Sequence, residues 1–380
     1  MVHLRLTVRF TGEAGKRGIM ARRVTMQDIA DALGISRNTV SKAINNTGIL
    51  ADSTREKVLK KAVEMGYKQF SYINVSGMTE SGEVRQQTEM TAGKIALLTR
   101  GLIANSSFVS DMLDRFQEAL SRLGYGFTMY RVREEDEEDL RLPAFFEKEE
   151  ISGLICVEVL EHKYCNMLCE LNLPVLFVDS PAAGLRGAIR ADCIYPDNQA
   201  AVCEIVREMV RRGKRRIGFV GEYMHCQSFF ERYMGYRNAM YLSGLPCGEE
   251  YCAIGNRKDV SRPGPEEYQE YLAERFSQMR EMPEALLCAN DYVAFDTMRV
   301  LKKMGISVPE DIWLCGFDDT VEARVITPAL TSVRIHSDIM GESAAYLLAS
   351  RIREPSLHFR TIHVQTSLIY RESTENDRML

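Results

Sequence analysis

The chain predicts a small all-α head, residues 24–67, joined to a large α/β body, residues 94–375, built on two doubly wound parallel sheets. Within 24–67, apolar residues recur at helical spacing around a tight turn. From Lys94 onward, short apolar runs alternate with amphipathic helical stretches, a pattern that builds parallel sheets covered by helices on both faces. Charge divides at nearly the same place. Residues 1–70 hold 13 Lys and Arg against 6 Asp and Glu, a balance of +7; the other 310 hold 35 against 47, a balance of −12. A basic head on an acidic body concentrates affinity for nucleic acid in the head.

The head reads as three short helices. Thr25 opens the first, and Asp28 three residues later completes a capping box. Ile29, Ala30 and Leu33 then share one face, with Ala30 small enough for two helices to cross closely. Gly34 supplies a left-handed turn residue at no steric cost, and Ile35 plugs the turn. Ser36 caps a second helix whose Val40 and Ile44 point inward. A third starts at Asp52 and Ser53, where Ser53 and Glu56 read as another capping box, and stops at Gly66. Together they form a helix-turn-helix.

The outward face of the second helix carries Arg37, Asn38, Thr39, Ser41, Lys42 and Asn45. A face built only for stability would favour Glu and Lys pairs, whereas this one has no acid and is rich in indifferent helix formers. Arg grips guanine and Asn grips adenine bidentately in the major groove, while Ser, Thr and Lys reach phosphates. DNA recognition is the strong reading; a three-helix module that binds protein is the competing one.

In the body the strand-like runs are 95–99, 125–132, 151–159, 173–179, 216–221, 284–290 and 312–318. Helical patterns cover 110–123, 198–212, 228–243, 265–280, 291–304 and 337–353. Two such sets make two lobes, with ligand expected in the crevice at the carboxyl ends of the strands. The ten cysteines, all between Cys156 and Cys315, read as reduced, packed side chains of a cytosolic protein. Cys165 and Cys169, with His162 near, lack the second pair that a metal site needs. Neither a phosphate loop, a dinucleotide fingerprint nor a nucleophile elbow occurs, so an enzyme is not expected, and no cofactor is implied. The acidic run Glu134 to Asp139 reads as a solvated loop or helix start. No apolar run approaches a membrane span, so no membrane partner is expected.

The head resembles the DNA-binding domain of the LacI/GalR family of bacterial transcriptional regulators. The carriers are Val24-Thr25, Asp28-Ile29-Ala30, Gly34-Ile35-Ser36, Thr39-Val40-Ser41, Asn45, Thr54-Arg55-Glu56-Lys57-Val58 and Gly66-Tyr67. The match implies that Arg37, Asn38 and Lys42 read bases, Lys42 standing where the family more often has Arg. It implies that Thr25, Ser36, Thr39, Ser41, Asn45 and Thr54 contact the DNA backbone. Residues 68–93 are a polar linker; they place Ile73 and Ser76 where the family's hinge carries Ala and Leu, so the usual minor-groove wedge is missing. Residues 1–23 are expected to be a poorly ordered extension, with Met20 heading a natural start, and 376–380 a tail.

A looser resemblance continues through Pro174-Val175, Asp197-Asn198, Arg216 to Gly221, Ser228, Gly235-Tyr236, Ala289-Asn290-Asp291 and Gly316-Phe317-Asp318-Asp319. It implies a periplasmic-binding-protein-like sensor core that forms a homodimer, with chain crossovers between its lobes. The implied effector contacts are Asn105 and Phe108 after the first strand, Asp179 and Asn290 at strand ends, Arg232 on a helix start, and Asp318. Phe108, Phe230 and Tyr292 are candidate platforms for a sugar ring. The expected partners are therefore double-stranded operator DNA, palindromic to match the dimer, and a small effector, with a carbohydrate favoured. A solute-binding sensor with weak, non-specific DNA affinity is the alternative.

Overall fold

The computed structural model describes residues 25–44, 51–65, 93–101, 107–184, 186–255 and 266–374. The chain divides into two units between Gln87 and Thr88, inside the segment that reads as a linker.

The first unit contains α1 (Met26–Leu33), α2 (Arg37–Ile44) and α3 (Asp52–Glu64). Thr25 Oγ1 accepts the Asp28 amide at 3.3 Å while the Asp28 carboxylate accepts the Thr25 amide at 2.8 Å, the reciprocal cap that the sequence predicts. Gly34 ends α1 with φ 65° and ψ 30°, and the Ile35 amide folds back onto the Ala30 carbonyl at 3.1 Å. Ile29, Ala30, Val40, Ala43, Val58 and Ala62 are buried together, with Met26, Leu33 and Ile35 packed at the margin. Three alanines in so small a core let short helices approach closely. The start of α3 differs from expectation. The Arg55 amide bonds to the Ala51 carbonyl at 3.0 Å, so Ala51 is the cap and Ser53 lies inside the first turn. Asp52 then holds the first helical position. The expectations for residues 1–23, Asn45, Gly66, Ile73 and Ser76, and for the side chains of Ile44 and Glu56, lie outside the described residues.

The second unit folds as two lobes. Lobe one holds β1 (Gly93–Thr99), α4 (Ser107–Arg122), β2 (Tyr125–Arg131), α5 (Glu134–Glu138), β3 (Ile151–Val157), α6 (His162–Cys169), β4 (Val175–Val178) and β5 (Asp192–Pro196). Lobe two holds α7 (Asn198–Arg211), β6 (Ile217–Val220), α8 (Gln227–Leu242), α9 (Glu266–Ser277), β7 (Ala285–Cys288), α10 (Asp291–Lys303), β8 (Trp313–Cys315), α11 (Val321–Val325) and β9 (Ser332–Ile335). The chain then crosses back for α12 (Ser337–Arg353) and β10 (Thr361–Val364), and returns once more for β11 (Thr366–Ile369).

The lobe-one sheet runs β10-β5-β4-β3-β1-β2, parallel throughout. Lobe two pairs β6-β7-β8 in parallel, and bridges from Cys315 to Thr331 and Asp318 to Arg334 extend that sheet to β9. There β11 pairs antiparallel, so the second sheet is not purely parallel as the sequence led us to expect. Side chains of β1 alternate between two cores. Ile95 and Leu97 meet Phe116, Leu120 and Leu348 on one face, while Ala96 and Leu98 meet Leu154, Tyr164 and Phe177 on the other. Gly341 lets α12 lie directly on α4, because a Cβ there would stand 2.2 Å from the Met112 carbonyl oxygen.

The acidic run forms α5, but two of its members are buried rather than solvated. Asp136 accepts the Arg133 amide at 3.0 Å and Arg141 Nε at 2.9 Å, and Glu137 faces Arg100 at 3.4 Å. All ten cysteines are free, and burial pushes most of their thiols up, which keeps them unreactive. His162 turns to Asn166 and the Gly187 carbonyl, and no metal-holding group of His, Cys, Asp and Glu occurs among the described residues. No helix among them is long and apolar enough to cross a membrane.

Candidate nucleic-acid interface and ligand cleft

The exposed face of α2 is built by its own cap. Ser36 Oγ accepts the Thr39 amide at 3.1 Å and lies 2.8 Å from Thr39 Oγ1, which starts the helix at Arg37. Arg37 and Asn38 follow immediately, both exposed, and neither is engaged in an ion pair or side-chain hydrogen bond among the described residues. Thr39, Ser41 and Lys42 are half-buried along the same helix, as is Thr54 on α3, and Thr25 is exposed at the cap of α1. The first turn of α2 holds no acidic residue. Its amide dipoles and the Arg37 guanidinium therefore present one positive surface, suited to a phosphate backbone and to base edges.

The second site lies between the lobes, at the carboxyl ends of their strands. Asp179 directly follows β4, with φ 62°, and its Oδ1 accepts the amide of Ser180 at 2.8 Å and, from lobe two, that of Ser228 at 3.1 Å. The Gln227 amide donates across the same gap to the Ser180 carbonyl at 2.8 Å, and the Ala183 amide returns a bond to Gln227 Oε1 at 3.0 Å. The first turn of α8 is thus moored on lobe one.

Arg232, one turn further along α8, is only 4% exposed. Its Nε donates to Asn198 Oδ1 at 2.9 Å and its Nη1 to the Ala289 carbonyl at 2.6 Å; Nη2 stands 3.6 Å from Asp318 Oδ1. The guanidinium carbon sits over the Phe317 ring, 3.6 Å from its centroid. Asp318 itself occurs at φ 111°, three residues past β8, because a bond from its amide to the Val333 carbonyl at 2.8 Å fixes the turn. Burial raises the Asp318 carboxyl, and although the Arg232 charge opposes this, the nearby Asp179 reinforces it; the group is pushed up to about 6. Buried Asp291 behaves similarly. Burial and then the Asp318 charge push it up to about 7, while the Ser332 hydroxyl at 2.6 Å and the Thr320 amide at 2.8 Å satisfy its oxygens.

The structure brings Asp179, Arg232 and Asp318 to this crevice. Asn290 caps α10, its Oδ1 accepting the Val293 amide at 3.0 Å, so its free amino group is what it can offer. Phe108 is not in a loop: it sits in the first turn of α4, half-buried against the lobe-one core, which argues for packing. Tyr292 meets Phe295 edge-on, Phe230 lies 6.4 Å from Tyr223, and Asn105 falls outside the described residues. Sequence reasoning missed the supports. Phe317 floors the arginine, Asn198 orients it, and Asn198 Nδ2 in turn donates to Glu231 at 2.8 Å. Neighbouring Asp319 is also buried; burial alone would raise it, but bonds from Arg371 and Arg334 outweigh that and hold it below the usual range. One half-open carboxylate beside a fixed, planar donor is chemistry for hydroxyl groups, which can both give and accept hydrogen bonds.

Comparison with known proteins places both regions. Residues 25–69 match the family described as bacterial regulatory proteins, lacI family, and residues 206–374 match a periplasmic binding protein-like domain. The HTH-type transcriptional repressor PurR of Erwinia tasmaniensis is 26% identical over 354 residues, covering 92% of this chain and 96% of that protein. Among solved structures, a transcriptional regulator CelR-cellobiose complex superposes with a TM-score of 0.62 at 22% identity, over 92% of this chain and all (100%) of that one. The lac repressor dimer bound to operator and the anti-inducer ONPF gives 0.59 at 20% identity, over 93% and 99%. These two solved structures share the fold.

Proposed function

We propose that this chain, which belongs to the lacI family of bacterial regulatory proteins, is a sequence-specific transcriptional repressor that acts as a homodimer on a palindromic operator in the cytoplasm. The observation that carries this reading is the face of α2. Arg37 and Asn38 stand exposed at the start of a capped helix with no acid in its first turn, on a core that three alanines make compact. Docking such a helix by its N-terminal residues is how helix-turn-helix proteins read the major groove. A dimer would present two of these helices, and a palindromic site matches that symmetry.

Effector control rests on the crevice. Asp179 from lobe one and Arg232 with Asp318 from lobe two would be joined by a ligand that hydrogen-bonds to both, so occupancy changes the balance between lobe arrangements. The half-open carboxylate of Asp318 and the held guanidinium favour a polyhydroxylated compound, and a carbohydrate is the effector class we infer. The structure of a relative in complex with cellobiose supports that choice. A thermal-shift screen of sugars, sugar phosphates and purines on the full chain tests it. A carbohydrate that raises the melting temperature and alters operator binding is the expected result; stabilisation by a purine alone would assign the cleft to another ligand class.

A further inference from the structure

Two crossovers between the lobes run side by side. The Asp197 amide, leaving β5, donates to the Val364 carbonyl at the end of β10 at 2.7 Å, and the Thr366 hydroxyl donates to the Asp197 carbonyl at 3.2 Å. His363 sits one residue before this hinge, opposite Tyr195 of β5, and its ring stacks on the Tyr195 ring at 5.3 Å. Its Nε2 lies 3.3 Å from Oε2 of Glu231 on α8, a residue of the other lobe. The Glu231 side chain is 10% exposed and that of His363 42%.

Glu231 is also the centre of a hydrogen-bond chain. Its Oε2 accepts Asn198 Nδ2 at 2.8 Å, and Oε1 accepts Gln227 Nε2 at 3.2 Å. Asn198 passes the contact to Arg232 Nε at 2.9 Å, while Gln227 reaches lobe one through Ser180 and Ala183. The other moorings of α8 on lobe one are backbone amides, a side-chain amide and the Asp179 carboxylate. Histidine is the side chain that ordinarily changes charge between pH 5 and 8.

We propose that the His363–Glu231 pair is a proton-operated clamp on the hinge: protonating His363 turns a hydrogen bond from a neutral imidazole to the Glu231 carboxylate into an ion pair that holds the first turn of α8 against lobe one and so positions Arg232 in the cleft. Other charged neighbours have their own partners, and the half-buried His225 before α8, whose imidazole burial pushes down, packs on Phe229. On β5, burial pushes the Tyr195 phenol up beyond the physiological range, and Asp192 is held by Arg351 and Arg360. Asp197 caps α7 through the Ala200 amide, and Arg232 on α8 faces Asp318. The ion pair adds its hold only while the imidazole carries a proton. Since the imidazole is partly exposed, solvent screens the pair, and the effect on the docked population is about two- to fivefold.

Hydrogen exchange on the full chain, free of ligand and DNA, tests this at pH 6.0 and 8.0 after correction for chemical exchange. Peptides spanning 222–232 report the Gln227 and Ser228 amides, which donate to lobe one. The wild type should be about two- to fivefold better protected there at pH 6.0 than at pH 8.0. His363→Gln, which keeps a donor toward Glu231 without the charge, should lose most of that pH difference, as should Glu231→Gln, leaving only the share of Asp318, pushed up to about 6, and of His225. Unchanged exchange of β7 in the variants shows that the fold is retained. A pH difference that persists undiminished in His363→Gln overturns the proposal. So does its absence from the wild type, or an equal loss at both pH values as from a merely structural contact.

Discussion

Replacing Asp318 by Asn should make the sensor unit more stable while removing its response to effector. The Asp318 carboxyl is pushed up to about 6 from the ordinary 3.8, and its side chain is 18% exposed. The sign follows from proton counting. The folded state holds the proton more tightly than the unfolded one, so stability falls as pH rises from about 4 to about 6 and stays lower above that. A difference of about 2.2 units at 1.36 kcal/mol each gives about 3 kcal/mol as an upper bound on the penalty of ionising the group in the folded protein. Asparagine removes that penalty but also loses the attraction to Arg232, so a net gain of about 1–2 kcal/mol at pH 7.5 is the expectation. It also tolerates the φ of 111° better than most residues, which keeps the turn intact. For a unit of this size the gain corresponds to a rise of about 2–8 °C in the melting temperature. Calorimetry from pH 4 to 8 should show the advantage of the variant growing up to about pH 6 and then levelling off. A variant less stable than wild type at pH 7.5, or an advantage independent of pH, would refute the claim that this carboxylate is held ionised against its surroundings for a ligand.

Arg37→Ala and Asn38→Ala should each cost about 1–3 kcal/mol on the specific operator and far less on random DNA, measured by fluorescence anisotropy at fixed salt; equal losses on both DNAs would make them phosphate contacts. Asp192→Ala should destabilise the sensor unit by about 3–5 kcal/mol, because it leaves the buried Arg351, which now donates to Asp192 at 2.8 and 3.1 Å, with carbonyl partners but no counter-ion. A chemical-denaturation curve within 1 kcal/mol (about the value of an exposed pair) of wild type would contradict that. Inserting one or two base pairs at the operator centre should be tolerated with little change in bend angle, since Ser76 cannot act as an apolar wedge; a sharp loss of binding with a strong central kink would show that another residue does so.

The first two helices of the head were legible almost residue by residue, because a capping box and a turn glycine are local: Thr25, Asp28, Gly34 and Ser36 act through bonds within a few residues of themselves. In the body, all seven long apolar runs became strands or strand cores, and six helical patterns became helices. What was missed is short or shaped by partners. β5, β9, β10 and β11 have four or five residues each, and β10 is largely exposed, so no apolar run betrays them; parallel pairing of β10 with β5 depends on residues more than 150 positions apart. The cleft followed the same rule. The family resemblance, with positions at strand ends and a helix start, singled out Asp179, Arg232 and Asp318, whereas Asn198, Glu231 and His363 become partners only when two crossovers lie side by side. The burial of Arg232 could not be read from the sequence, because Phe317 and the Ala289 carbonyl compose a seat that no local pattern announces.

The central claim is that α2 reads sequence. Selection of bound fragments from a random DNA library at physiological salt, with wild type and Arg37→Ala in parallel, measures that most directly. The account predicts enrichment of a two-fold symmetric site by the wild type and a blurred base preference within each half-site for the variant. No enriched sequence, with affinity set by salt alone, would contradict it and leave a ligand sensor that binds DNA without reading it.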